Sequence, residues 1–303
     1  REALPSEQKH RVAYHRLSMT AKHAINPFDT QLGSRQPARQ ERAFLVNFVT
    51  LLATPFNASA SYDGMADLVS LVVDETYKEL APNANPNVYT PGVEDIIDGV
   101  LAEIGFISDK QTTWWEVTDA LFTAQYVHEA MLAQRNAMPL LGDLVSVCRK
   151  QVVADLYNQV KIPTGETLIN AFIRMISGAV RDYPIISAVT KFDLGDARIV
   201  SLDLDQVAKG GGDAADRQTA VMYMLARYVT ARDYYLNEED IDQFHILYQS
   251  YHTQRITEIR QDPKRLVYDE FHRTSKAQSV REQVIQDMRE GRKWGVQVAL
   301  ISQ

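Results

Sequence analysis

From residue 61 to residue 182 the chain offers one helical hydrophobic pattern after another and no convincing strand, whereas both flanks read as strands joined to helices. That contrast restricts the fold to an α/β core interrupted by an all-helical block. Within the block, Met65, Leu68, Val69, Val72 and Val73 form one apolar stripe. Thr90-Pro91 opens a second helix, carried by Val93, Ile96, Ile97, Val100, Leu101 and Ile104 and closed by Gly105. Thr113 and Glu116 have the spacing of a capping box and open a third, through Val117, Leu121 and Gln125. Further helices are expected over about 139–157 and 164–181.

On the amino-terminal flank, HRVAYHRL reads as a short strand and AINPFDTQLG as an extended stretch ending in a turn. Phe44, Leu45, Phe48, Leu51 and Leu52 then make one face of a helix over 39–53, stopped by Pro55. On the other flank, PIISAVTKFDL and ARIVSLDL are two strands that could pair across the LGDA turn. Helices follow over 213–235 and, capped by Asn237, over 238–259. KRLVY is the next strand, then a helix over 275–289 and a last strand, VQVALIS. Strand, helix, strand, helix, strand implies a parallel sheet in the final third.

The net charge of −7 is unevenly placed. Residues 56–195 hold 9 Lys and Arg against 18 Asp and Glu, while 1–55 are net +4 and 196–303 net −2. An acidic helical block disfavours wrapping around nucleic acid, whose phosphates select basic surfaces. The single cysteine, Cys148, lies at helical spacing from Leu144 and Val152; it excludes an internal disulfide, reads as a buried inert thiol and fits a reducing compartment. The apolar run LVSLVV at 68–73 falls far short of the roughly 20 residues that span a bilayer. The first residues lack the apolar core of a signal peptide and do not begin with Met, so the chain reads as a piece of a longer protein.

The chemistry concentrates at KRLVYDEFHR, residues 264–273. Three apolar residues followed by Asp269-Glu270 have the form of a buried strand whose carboxyl end carries acids, the edge at which parallel sheets bind ligands. In nucleotide hydrolases one such acid supports Mg²⁺ and a second orients the attacking water. The plain alternative is a strand end whose acids cap the next turn. Arg289, Arg292 and Lys293 follow at a helix end, where basic residues also compensate the helix dipole, and the last strand ends in Ser302-Gln303.

RLVYDEFHR, the GRKWG turn with VQVALISQ, and NPFDTQLG before an ERAFLVNFVTLL helix together resemble the ATPases of type IV secretion and conjugation systems. The nearest resemblance is to the IcmB/DotO branch of the Dot/Icm apparatus and its TraU-like plasmid relatives, and it runs the length of the chain. The resemblance implies a RecA-like P-loop NTPase core, a partial parallel sheet, interrupted by the all-helical insertion. Residues 1–58 and 191–303 would be the two parts of the core and 59–190 the insertion. It further implies that Asp269 supports Mg²⁺ through water and Glu270 positions the hydrolytic water. Arg292 would be an arginine finger reaching a neighbouring subunit, and Gln303 the polar sensor of the γ-phosphate. ATP and Mg²⁺ would be the cofactors and a homo-oligomer, with a hexamer expected, the working form. A second secretion ATPase such as DotB and an inner-membrane secretion complex would be its partners, with the protein cytoplasmic and peripheral to that membrane.

The sequence departs from this pattern once: no G-x-x-x-x-G-K-[ST] occurs, and PTGET at 163–167 and KGGGD at 209–213 lack the Lys-Ser/Thr pair. In the resembling ATPases the phosphate loop lies upstream of the strand before NPFD, so these residues by themselves are expected to bind ATP feebly and not hydrolyse it. Two other functions compete: a DNA-translocating coupling ATPase, and a docking scaffold whose nucleotide site has decayed. Elsewhere, His245 and His252 lack further ligands for a metal, and Trp114-Trp115 and Tyr234-Tyr235 read as packing. Arg35, Arg39 and Arg42 read as a solvated face, with a phosphate or subunit contact as the alternative.

Overall fold

The computed structural model describes residues 11–56, 62–195, 197–208, 211–274 and 277–301. Strand β1 (Val12–Arg16) leads into the NPFDTQLG segment and helix α1 (Arg39–Ala53). The helical block comprises α2 (Met65–Glu79), α3 (Asp95–Glu103), α4 (Trp114–Thr123), α5 (Val127–Ala137), α6 (Asp143–Val147), α7 (Gln151–Tyr157) and α8 (Leu168–Asp182). Then come β2 (Ile199–Asp203), α9 (Asp213–Ala231), α10 (Ile246–Gln261), β3 (Lys264–Tyr268), α11 (Gln278–Glu290) and β4 (Val296–Leu300).

Local chemistry accounts for most boundaries. Helix α1 stops at Thr54 because the following proline has no N–H to continue the ladder. Arg217 of α9 ties off its carbonyls instead, donating to Leu51 O at 2.7 Å and to Leu52 O and Thr54 O at 2.6 Å. Thr113 caps α4 by accepting from Glu116 N, and the Glu116 carboxylate returns to Thr113 N at 2.7 Å. Helix α3 begins at Asp95, four residues beyond the proline expected to open it. Its stripe is narrower than the pattern implied, with Ile97 and Leu101 buried and Ile96 and Val93 exposed. The helix expected over 139–157 is two short helices, α6 and α7, broken at Arg149-Lys150. Helix α5 lacks a strong apolar stripe, burying Ala130, Ala133, Gln134 and Ala137.

One continuous apolar core runs from Leu17 through the helical block to Val280, with α1 packed against α2, α8 and α9 at its centre. A second, small core of Ala231, Tyr235, Leu266 and Val296, flanked by Tyr234, Tyr268 and Trp294, backs the last two strands.

The strands make two separate two-stranded parallel sheets, β1 with β2 and β3 with β4. The expected pairing of PIISAVTKFDL with ARIVSLDL is therefore incorrect. Ile185 and Ile186 are both fully buried, which successive residues of a strand facing one core do not achieve, and Pro184–Ile186 is a 3-10 turn. Its backbone serves the opposite flank: Ile25 N donates to Ile185 O at 2.7 Å and Lys191 N to Ala24 O at 2.9 Å. The strand Ile199–Asp203 pairs with β1 and not with the two final strands, so the single sheet expected in the last third is replaced by these two ribbons.

Candidate functional site

Strand β3 alternates as a half-covered strand must: Lys264 and Leu266 are buried, Arg265 and Val267 exposed. Its register with β4 pairs Leu266 with Val298 and Tyr268 with Leu300. The ladder continues one step past the strands, with Ile301 N donating to Tyr268 O at 2.8 Å and Phe271 N donating to Ile301 O at 3.1 Å. Asp269 and Glu270 are thus held in a tight turn at the carboxyl edge of two neighbouring parallel strands.

Within that turn Asp269 Oδ1 accepts Glu270 N at 2.9 Å, and the Tyr223 hydroxyl of α9 donates to Asp269 O at 3.4 Å. Glu270 adopts φ 52°, a left-handed conformation uncommon for a residue with a β-carbon. Its carboxylate lies 3.5 Å from Nε2 of His272, on the 3-10 turn that follows. Asp269 is exposed and Glu270 partly so, which leaves both accessible to a ligand.

Behind the turn stands a group that the motif reading missed. Asp287 of α11 is 2% exposed and accepts from four donors: Arg227 Nε at 3.1 Å, Arg227 Nη2, the Tyr235 hydroxyl at 2.6 Å and the Tyr268 hydroxyl at 3.3 Å. The signal was present, because Asp287 continues the buried stripe of Val280 and Val284 at helical spacing. A carboxylate there required a buried cation, and Arg227 supplies it.

Arg292 sits elsewhere. It lies exposed in the 3-10 turn Gly291–Trp294 that enters β4, where Lys264 N meets Gly295 O at 3.2 Å. This is the amino edge of the strands, and five residues at about 3.3 Å each separate it from the acids. Within one chain the guanidinium and Glu270 occupy opposite edges. Gln303 and Ser302 lie outside the described residues.

Among the described residues no group of three or more His, Cys, Asp or Glu side chains is placed to hold a metal by itself. The donor set at the turn still suits a hard cation of the Mg²⁺ kind, which takes one or two carboxylates and completes its shell with water and phosphate oxygens. Asp269 would hold it through water, with Glu270 beside it in the same turn.

The other signalled residues are structural. Arg35 donates to both carboxylate oxygens of Asp119 at 2.7 Å and lies over the Trp115 ring at 4.0 Å, while Arg42 grips Asp74 at 2.6 Å through Nε and Nη2. These two arginines fasten the amino-terminal segment to the helical block. Burial pushes the Cys148 thiol up to about 12, in keeping with an inert core position. His252 is fully buried and stacked on Phe244, with Nε2 2.7 Å from Leu32 O.

The NPFDTQLG segment is the hub of this framework. Asn26 N donates to Thr190 Oγ1 at 2.7 Å and Asn26 Nδ2 to Pro139 O at 2.8 Å. Gln134 accepts Gly33 N at 2.6 Å and donates to Gln31 O at 3.0 Å. Gln31 donates to Asp233 at 2.8 Å and accepts from Arg255 at 2.5 Å. Burial alone would raise Asp233, but Arg255 and Arg232 outweigh it and hold the carboxyl down at about 2.

No protein-family model matches the sequence, and no curated protein matches it. A solved structure does, the VirB4 of Thermoanaerobacter pseudethanolicus, with a TM-score of 0.52 and 13% identity. The chain is similar in fold to VirB4. The match covers 98% of this chain and 60% of VirB4, so the chain spans less than two thirds of the length of that structure. At this identity the likeness concerns architecture alone. No helix among the described residues is long and apolar enough to cross a membrane.

Proposed function

We propose that this chain is part of an ATPase motor of a type IV secretion system. The observation that carries the reading is the placement of Asp269 and Glu270 at the carboxyl edge of two adjacent parallel strands, in a chain whose architecture is similar to that of VirB4, a type IV secretion ATPase. The reading takes the two ribbons as parts of one RecA-like core, with residues 59–190 as its helical insertion, and assigns the chain to the IcmB/DotO branch.

Phosphoryl transfer requires its developing charge to be neutralised and its water to be placed in line. A Mg²⁺ held by Asp269 would supply that neutralisation on the phosphates. Glu270, lifted from the strand by its left-handed backbone, would orient the water. Arg292 lies too far along the strands to serve its own acid turn, so its part would be played on a neighbouring subunit, in a ring. Gln303 would sense the γ-phosphate, and the phosphate loop would come from polypeptide outside these 303 residues. Docking to a second ATPase such as DotB at the inner membrane belongs to the same proposal. The excess of acids in the helical block supports a protein partner over a DNA track.

The test is Mg²⁺-dependent ATP hydrolysis by the full-length protein, with Glu270→Gln as control. Turnover that the substitution abolishes is expected, and the isolated 303 residues should show none. A full-length protein that binds partners without hydrolysis, or whose hydrolysis ignores the substitution, would make it a docking scaffold and overturn the proposal.

A further inference from the structure

Among the described residues two without glycine's freedom have positive φ, Gln125 and Glu270. Gln125 comes just after Ala124, the residue that caps the carboxyl end of α4, a place where left-handed residues commonly stop a helix. Glu270 follows a strand, and no helix end calls for its conformation. The conformation is imposed from both sides: Tyr268 and Phe271 are both bonded to Ile301, and Glu270 N is bonded to Asp269 Oδ1. The chain then enters the 3-10 turn Phe271–Thr274, which packs on α9 and is closed by Thr274 Oγ1 donating to Phe271 O at 2.7 Å. This geometry folds the Glu270 side chain back toward His272, two residues on, with Nε2 and Oε2 3.5 Å apart.

We infer that His272 is a positioning residue for Glu270, a role that rests on the hydrolytic reading above. An ionised carboxylate only accepts hydrogen bonds, so the imidazole must carry its proton on Nε2 to engage it. Paired in this way, the Glu270 carboxylate loses rotational freedom and faces one direction at the rim of the sheet. The pair does not hold the fold together: the His272 side chain is 47% exposed and that of Glu270 36%, and exposed pairs of this kind contribute little to stability. Orientation of a water-activating carboxylate, by contrast, acts directly on turnover.

The experiment compares steady-state ATP hydrolysis by the full-length protein and its Glu270→Gln, His272→Ala and His272→Gln variants, with melting temperatures measured alongside. Glutamine places an amide N–H near the position of Nε2. The expected result is a fall in kcat of about 10- to 100-fold for His272→Ala, the range for groups that orient a functional ligand. KM for ATP should stay within about twofold and His272→Gln should recover most of the loss, since the interaction lost would be one made in the transition state. Normal kcat in His272→Ala, or equal impairment in both histidine variants, would overturn the inference while leaving the hydrolytic reading intact if Glu270→Gln is dead. A lowered melting temperature in both variants would assign His272 a packing role and overturn it too. Hydrolysis indifferent to Glu270→Gln would remove the underlying reading and the inference with it.

Discussion

Tyr248 of α10 lies against Gly33 so closely that a β-carbon on residue 33 would stand 2.2 Å from Tyr248 Cδ2. Gly33 also has φ +76°. Close approach and a left-handed turn both require glycine at this point of NPFDTQLG. Overpacking and left-handed strain each cost on the order of 1–3 kcal/mol, so Gly33→Ala should destabilise the fold by about 3 kcal/mol. Urea denaturation would measure it. In a Tyr248→Ala background the steric part should vanish, leaving a smaller penalty from the backbone alone.

Glu41 gives the framework a pH dependence. It is 6% exposed at the start of α1, where its Oε2 accepts Ala38 N at 2.9 Å. Burial pushes its carboxyl up to about 7, although Arg232 and the Ala38 amide favour the charged form. A folded value above the ordinary one means that this group's contribution is fully present below about 4.5 and is lost as pH rises through about 7. Glu41→Gln keeps the amide acceptor and removes the charge. It should be more stable than the parent by up to about 3 kcal/mol at pH 8, with the gap narrowing toward pH 5. Denaturation midpoints at the two pH values would check this.

The parts of the fold legible in the sequence were those with local causes. Phe44, Leu45 and Phe48 with the proline stop define α1, and Thr113 with Glu116 defines the start of α4, because capping and periodicity act within a few residues. Helix α5 went unread because its buried face is built from Ala130, Ala133 and Gln134, whose burial depends on what packs against them. The pairing of β2 was misjudged for a similar reason. Proximity in sequence favoured the preceding segment, but Ile185 and Ile186 were drawn into the core and β2 found β1, more than 180 residues away. At the site, Asp269-Glu270 was legible as a contiguous motif. The partners Asp287, Arg227, Tyr235 and Tyr268 come from separate elements, so only the misplaced charge on the stripe of α11 hinted at them.

His252 should make the fold sensitive to acid. It is fully buried with Nε2 on Leu32 O, and burial pulls its pKa down to about 4 from the ordinary 6.5. A depressed folded value means that its contribution is present above about 6.5 and lost as pH falls through about 4. Between pH 6.5 and 4.5 the protein should lose about 2 to 3 kcal/mol through this residue. His252→Gln, which retains an N–H for Leu32 O, should start less well packed and lack that part of the acid slope. Stability measured across this range in both proteins would decide it; parallel slopes would show that His252 does not titrate with unfolding.

The last prediction concerns the support behind the acid turn. Asp287 neutralises Arg227 inside the small core of Ala231, Tyr235, Leu266 and Val296, and its remaining lone pairs take the hydroxyls of Tyr235 and Tyr268. Removing one member of a buried ion pair strands the other charge, at a cost of about 3–5 kcal/mol. Asp287→Ala should therefore be destabilised by that amount. Asp287→Asn still accepts from the tyrosines and should be hurt less. The loss should be local: amides of β3 and β4 should exchange faster with solvent while α1 and α2, whose packing lies in the main core, keep their protection. Uniformly faster exchange across the chain would mean that the two cores unfold as one unit, and that the acid turn borrows its rigidity from the whole molecule and not from Asp287.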